Sequence, residues 1–339
     1  MSTWSWRAPL LALALLAATS CGGHRGGREH HRASAVPQES YVALIGRLDA
    51  LAASAPERLS VTRYGVSSEG RDLVLATLGR TPTSGAPRPA IVLTQVVHGD
   101  EYIGVVDRLP AELLPAPREY PNIASLIDRG GLLLLLPVVN PDGYEAVRRE
   151  NAAGADLNRD FDVRRYADRL AAAERGVVSY SGEQRSVLAA YVAAPKATQP
   201  ESRALVEGLS RAIRAANVRV KIFIDYHCCQ EDTRGALLHS WGDTVTLRDG
   251  TLAPAHVERY SRASTKFARA FPEGLFGSGV ETIGYMTFGT LDEWAYESFS
   301  QDGALAFTYE GQGRREDRQL SHHARFLDAL AGEVELASP

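Results

Sequence analysis

The strongest constraint on this chain is a pair of long, nearly unbroken apolar runs at residues 90–97 and 131–139. Neither alternates apolar with polar residues, so each reads as a β-strand buried on both faces, in a sheet flanked by helices. The rest of the sequence supplies those helices. Helical spacing runs over 41–55, over 200–216 with Pro200 and acidic Glu201 in the first turn, and over 256–271 and 320–330. Further strands are expected at 59–64 and 72–78, joined by a turn at Glu69-Gly70-Arg71, and at 219–225, 236–240 and 305–310. A short helix is expected over 102–109, stopped by Pro110. This alternation predicts a three-layer α/β/α domain. In such sheets ligands gather beyond the carboxyl ends of the strands.

Composition sets the outer bounds. With 45% hydrophobic and 23% charged residues over 339 positions, the chain can bury a large core. A net charge of −4 gives no reason to expect a nucleic-acid partner. The amino terminus reads as an export signal over 1–20: Arg7 precedes an apolar run at 9–17 that is far shorter than the ~20 residues of a membrane span. The following Ala18-Thr19-Ser20-Cys21-Gly22-Gly23 resembles a bacterial lipoprotein processing site with Cys21 lipidated; ordinary signal cleavage at the small residues is the alternative. Membrane association is therefore expected only through an anchor at Cys21, in the cell envelope, or not at all if the protein is secreted. Residues 21–36, rich in Gly, His, Arg and Ser, read as a flexible linker, and 37–336 as one domain, expected to be a monomer. Between Cys21 and that domain there is too little chain for an inhibitory pro-domain, so activity without proteolytic release is expected. The three cysteines, Cys21, Cys228 and Cys229, give no disulfide framework by spacing. Cys228 and Cys229 are left as buried small residues or as a redox or metal pair beside His227.

Three fragments carry the chemistry, each where a strand runs out: His98-Gly99-Asp100-Glu101, Asp225-Tyr226-His227 and Thr308-Tyr309-Glu310. His98 and Glu101 are spaced so that both reach one ion from a first helical turn. Two imidazoles and one carboxylate fill three corners of a catalytic zinc and leave the fourth for water, with a further glutamate able to deprotonate it. Taken alone, His98 and His227 each also fit a hydrogen-bonded histidine at a strand end.

Further segments follow in order: Asn140-Pro141-Asp142-Gly143, then Arg149-Glu150-Asn151, then Asp156-Leu157-Asn158-Arg159-Asp160-Phe161, and later Tyr285 ahead of Gly289 and Glu293-Trp294. Taken with the three fragments, these resemble the zinc carboxypeptidase family of the carboxypeptidase A, B and T type, from about Tyr41 to the last helix. The resemblance implies a mixed, largely parallel central sheet and one Zn2+ held by His98, Glu101 and His227. Asp156 matches the carboxylate that orients the first ligand histidine. Glu310 matches the general base that takes a proton from the zinc-bound water and passes it to the leaving amine. Arg149 matches the arginine that stabilises the oxyanion, with neighbouring Arg148 the alternative. Asn158 and Arg159 match the pair that grips a substrate's free terminal carboxylate. Tyr285 matches the tyrosine that closes over the substrate, or else is a core aromatic. Asp292 matches the floor of the specificity pocket, where an acid goes with basic terminal residues, or else is merely solvated.

The implied activity is removal of one carboxy-terminal residue from a peptide. The same family contains peptidoglycan stem-peptide amidases, and a peptide-binding relative without catalysis is the non-enzymatic alternative. Some positions depart from the family pattern. Asp100 stands between the ligands, Asp160 follows Arg159 where Asn is usual, and Glu293 precedes Trp294 where Asp is usual. Asp160 is expected to place negative charge near the carboxylate-gripping arginine. His239, His256, His322 and His323 match no motif position.

Overall fold

A computed structural model describes residues 39–80, 85–177, 179–228, 235–239, 254–311 and 320–334. The expected signal segment, the linker, Cys21 and Cys229 lie outside the described residues. Among the described residues one sheet of eight strands carries the core: β1 Leu59–Val66, β2 Asp72–Leu78, β3 Arg88–Gln95, β4 Leu132–Leu136, β5 Val218–Cys228, β6 Ala236–His239, β7 Leu275–Gly277 and β8 Leu305–Gly311. Their order across the sheet is β1-β2-β4-β3-β5-β8-β6-β7. β3 pairs in parallel with β4 and β5, β5 with β8, and β6 with β7. The β1–β2, β2–β4 and β6–β8 pairs are antiparallel. The mixed, largely parallel sheet is thus as expected.

The two apolar runs occupy the centre. β4 is buried at every position, and β3 at every position after Arg88, because helices cover both faces. Those helices are α1 Tyr41–Ser54, α2 Leu109–Leu113, α3 Pro121–Asp128, α4 Pro141–Ala146, α5 Arg165–Glu174, α6 Gly182–Ala193, α7 Pro200–Ala215, α8 Pro254–Ala270, α9 Gly279–Thr282, α10 Leu291–Phe299 and α11 Leu320–Ala331. α7 packs on β1 and β5, α10 on β5 and β8, and α11 against α2, α3 and α8. A smaller apolar cluster joins Leu44, Ile45 and Leu48 of α1 to Val74 and Val96.

One expectation is corrected. Residues 102–108 are not helical; the helix starts at Leu109, with Pro110 in its first turn. Proline is at home there, since its missing N–H belongs to a position with no partner inside the helix. The preceding stretch is pinned instead by Gln95, whose side-chain oxygen accepts the Val105 and Val106 amides, both at 3.2 Å. Among the described residues, no helix is long and apolar enough to cross a membrane.

Candidate metal centre

β3, β5 and β8 are neighbours and parallel, so their carboxyl ends open on the same side of the sheet. Just past the end of β3, Val96 has φ 60, a left-handed conformation that strains a β-branched residue. It is held by the Asn140 amide on its carbonyl at 2.9 Å. The Asn140 side chain in turn reaches the Val97 and Arg149 carbonyls and accepts from the Gly143 amide. Gly99 lies directly on Gly143: a Cβ added there would sit 2.0 Å from the Gly143 carbonyl carbon. The Asn-Pro-Asp-Gly segment thus acts as a brace for the loop that bears His98.

His98, Glu101 and His227 converge, with candidate ligand atoms all within 4.8 Å of one another. Glu101 Oε2 lies 3.0 Å from His98 Nδ1 and 2.8 Å from His227 Nδ1. The opposite nitrogens are backed by carboxylates. His98 Nε2 is 3.1 Å from Asp156 Oδ1, and His227 Nε2 is 2.8 Å from Asp225 Oδ2. Each ring therefore aims Nδ1 into the site, and the donor set of two imidazole nitrogens and a carboxylate oxygen fits zinc. Asp225 is the residue sequence reasoning missed, although its signal was available. Two residues before His227 on a strand, it shares that histidine's face.

The electrostatics follow from this crowding. Burial works against charge on Glu101, yet His98 and His227 hold its carboxylate well below the usual range. Burial likewise opposes charge on both histidines, but Glu101 with Asp156 raises His98, and Asp225 with Glu101 raises His227. Glu310 stands opposite His227 in the β5–β8 pairing. Burial pushes its carboxyl well above the ordinary range, with His227 pulling it down and Glu101 pushing it up.

Around this cluster, Arg149 donates through Nε and Nη2 to Asp156 and through Nη1 to Glu101 Oε1, all near 3 Å. The Asn158 side-chain oxygen accepts the Leu291 amide at 2.8 Å, which fixes its carboxamide, and Arg159 donates to the Asn158 carbonyl. Tyr285 follows Gly284 and is 46% exposed, so the core-aromatic alternative does not hold. Burial and Glu310 raise its phenol while Arg159 and Arg149 lower it. Asp292 is buried in the first turn of α10.

Two departures acquire structural roles. Asp160 accepts the amides of Thr198 and Gln199, both at 2.9 Å, ahead of α7. Its charge is therefore engaged by backbone instead of bearing on Arg159 alone. Glu293 accepts from Thr290 in a capping box and from the Tyr166 hydroxyl. Trp294 packs against Phe161 and Phe299. Cys228 is buried and disulfide-bonded, which replaces the reading of it as a plain buried thiol.

A sheet-end site of two histidines, one ligand glutamate and one free-standing glutamate defines a metallohydrolase of the α/β class. The zinc carboxypeptidase family profile matches residues 44–329, and the chain belongs to that family. Carboxypeptidase B of Astacus astacus is 25% identical over 286 residues, covering 77% of this chain and 81% of that protein. Murein peptide amidase A of Escherichia coli is 30% identical over 239 residues, covering 68% and 76%. Among solved structures, bovine thrombin-activatable fibrinolysis inhibitor, in complex with tick carboxypeptidase inhibitor, superposes with TM-score 0.60 at 18% identity, covering 87% of this chain and 96% of that one. A metallo-carboxypeptidase from Burkholderia cenocepacia gives 0.60 at 22% identity, covering 86% and 68%.

Proposed function

We propose that the protein is an exported, zinc-dependent exopeptidase that removes the carboxy-terminal residue of peptides. The observation that carries this is the convergence of His98 Nδ1, His227 Nδ1 and Glu101 Oε2, with Glu310 opposite His227 on the neighbouring strand. His98, Glu101 and His227 would hold the zinc, which when bound would supply Lewis acidity toward the scissile carbonyl and a lowered pKa for water. Glu310, beside the ligand cluster and opposite His227, is the group that would accept a proton from the attacking water and deliver it to the leaving amine. Arg149 turns from its carboxylate partners toward the oxyanion. The fixed Asn158 amide and the Arg159 guanidinium bind the terminal carboxylate, and Tyr285 closes over it. Asp292, buried in the first turn of α10 and aligned with the family's specificity position, supports a preference for a terminal Lys or Arg.

The test is the profile of amino acids released from a mixed peptide pool, with and without a chelator. Single terminal residues are expected, led by Lys and Arg, and chelation should abolish release. A pool left untouched by the zinc-loaded protein would sink the proposal. The second reading, cleavage of peptidoglycan stem peptides, is supported by the 30% identity to murein peptide amidase A, higher than that to carboxypeptidase B of Astacus astacus. Digestion of muropeptides in preference to ordinary peptides would select it. Export rests on the signal-like run at 9–17, and the lipid anchor on Cys21; palmitate labelling lost in Cys21→Ser tests the anchor.

A further inference from the structure

We infer that Asp225, locked by Thr94, is the positioning residue that fixes His227 with Nδ1 facing the metal, and that it contributes more to zinc retention than its counterpart Asp156. The proposal rests on the metal-site reading above. Asp225 and Thr94 lie side by side in the β5–β3 register and are both fully buried. The Thr94 hydroxyl donates to Asp225 Oδ1 at 2.6 Å, leaving Oδ2 for His227 Nε2 at 2.8 Å. Asn158 Nδ2 approaches the same Nε2 only to 3.5 Å and is itself a donor. Asp225 is therefore the acceptor that keeps the proton on Nε2 and the lone pair on Nδ1.

The two backing carboxylates are not equivalent. Asp156 also receives two bonds from Arg149 and its side chain is 25% exposed, so guanidinium and solvent share its charge. Asp225 is dry and, among the described residues, its hydrogen-bond partners are a neutral hydroxyl and the ligand histidine. Among the described residues, then, neither a guanidinium nor solvent competes with His227 for Asp225 Oδ2, which is directed at the imidazole.

The test strips the protein of metal and titrates zinc against a chromogenic chelator for the parent, Asp225→Asn, Asp156→Asn and Thr94→Val. Asp225→Asn is expected to raise the zinc Kd about 10–100-fold, more than Asp156→Asn, and Thr94→Val to raise it by a smaller factor. A slowly exchanging downfield imidazole N–H assigned to His227 in the zinc-loaded parent is expected to vanish in Asp225→Asn, which a general loss of packing would not produce selectively. Parent-like Kd in a folded Asp225→Asn overturns the proposal. If that variant does not fold, parent-like Kd in Thr94→Val overturns it. A parent that binds no zinc at all refutes instead the metal-site reading on which this rests.

Discussion

Glu310 is the side chain on which turnover is expected to depend most. It lies beside the ligand cluster without belonging to it, since the converging group is His98, Glu101 and His227. Glu310→Gln keeps the shape and removes the base, so kcat should fall at least about 10²–10⁴-fold. Its zinc affinity should stay near the parent's, measured by the same chelator competition. Unchanged turnover would assign the proton transfer elsewhere. Arg159 is expected to act on binding instead. Charge-assisted hydrogen bonds contribute about 1.5–3 kcal/mol, so Arg159→Ala should raise KM about 10–100-fold for peptides ending in a free carboxylate. The same variant should barely alter KM for the amidated peptide, and equal losses on both substrates would remove Arg159 from carboxylate recognition. These residues were legible in sequence because family motifs carry identity and order together. Asp225 was not assigned a role, because its importance is a matter of which way the His227 ring faces, and spacing alone does not show that.

At the scale of elements, legibility followed the strength of the local signal. β3 and β4 announced themselves through saturation with apolar residues, and α1 and α7 through helical spacing with clear starts. α5 and α6 were passed over: polar and alanine-rich, they show no broad apolar stripe, and each buries only two residues. Residues 102–108 misled because a run that looks helical is held by Gln95 in a non-helical path. The brace between the His98 loop and the Asn-Pro-Asp-Gly segment was also invisible, since contact between two glycines leaves no trace of spacing. It gives opposite outcomes for one kind of substitution. Gly99→Ala forces a Cβ into the Gly143 backbone and should cost about 3 kcal/mol or more, with weakened zinc binding. Gly46→Ala, on the exposed side of α1 with open space around it, should add about 0.5–1 kcal/mol. Urea unfolding of both variants checks the pair; a tolerated alanine at 99 would mean the two loops move apart freely.

Over the whole molecule, the pH response is set by groups of opposite sense. Burial lowers His239, packed near Tyr260 and Phe276, to about 4 from an ordinary 6.5. Its contribution is present above pH 6.5 and is lost as pH falls toward 4. Burial, with Asp292 adding to it, raises Glu293 from 4.5 to about 7. Its contribution is present below pH 4.5 and is lost as pH rises through 7. Each shift corresponds to about 3 kcal/mol. Between pH 4.5 and 6.5 the two slopes oppose one another, so this pair leaves stability nearly level there. Substituting one partner should unmask the other. The stability of the parent minus that of His239→Phe should grow by about 3 kcal/mol from pH 4 to 6.5 and then level off. The parent minus Glu293→Gln should fall by a similar amount from pH 4.5 to 7. Taking differences at each pH cancels the titration of the metal centre, provided the substituted residue does not couple to it. Urea midpoints across that range decide the matter: two flat difference curves would mean that neither group changes protonation on folding, and that the acid and alkaline limits of the fold are set at the metal centre instead.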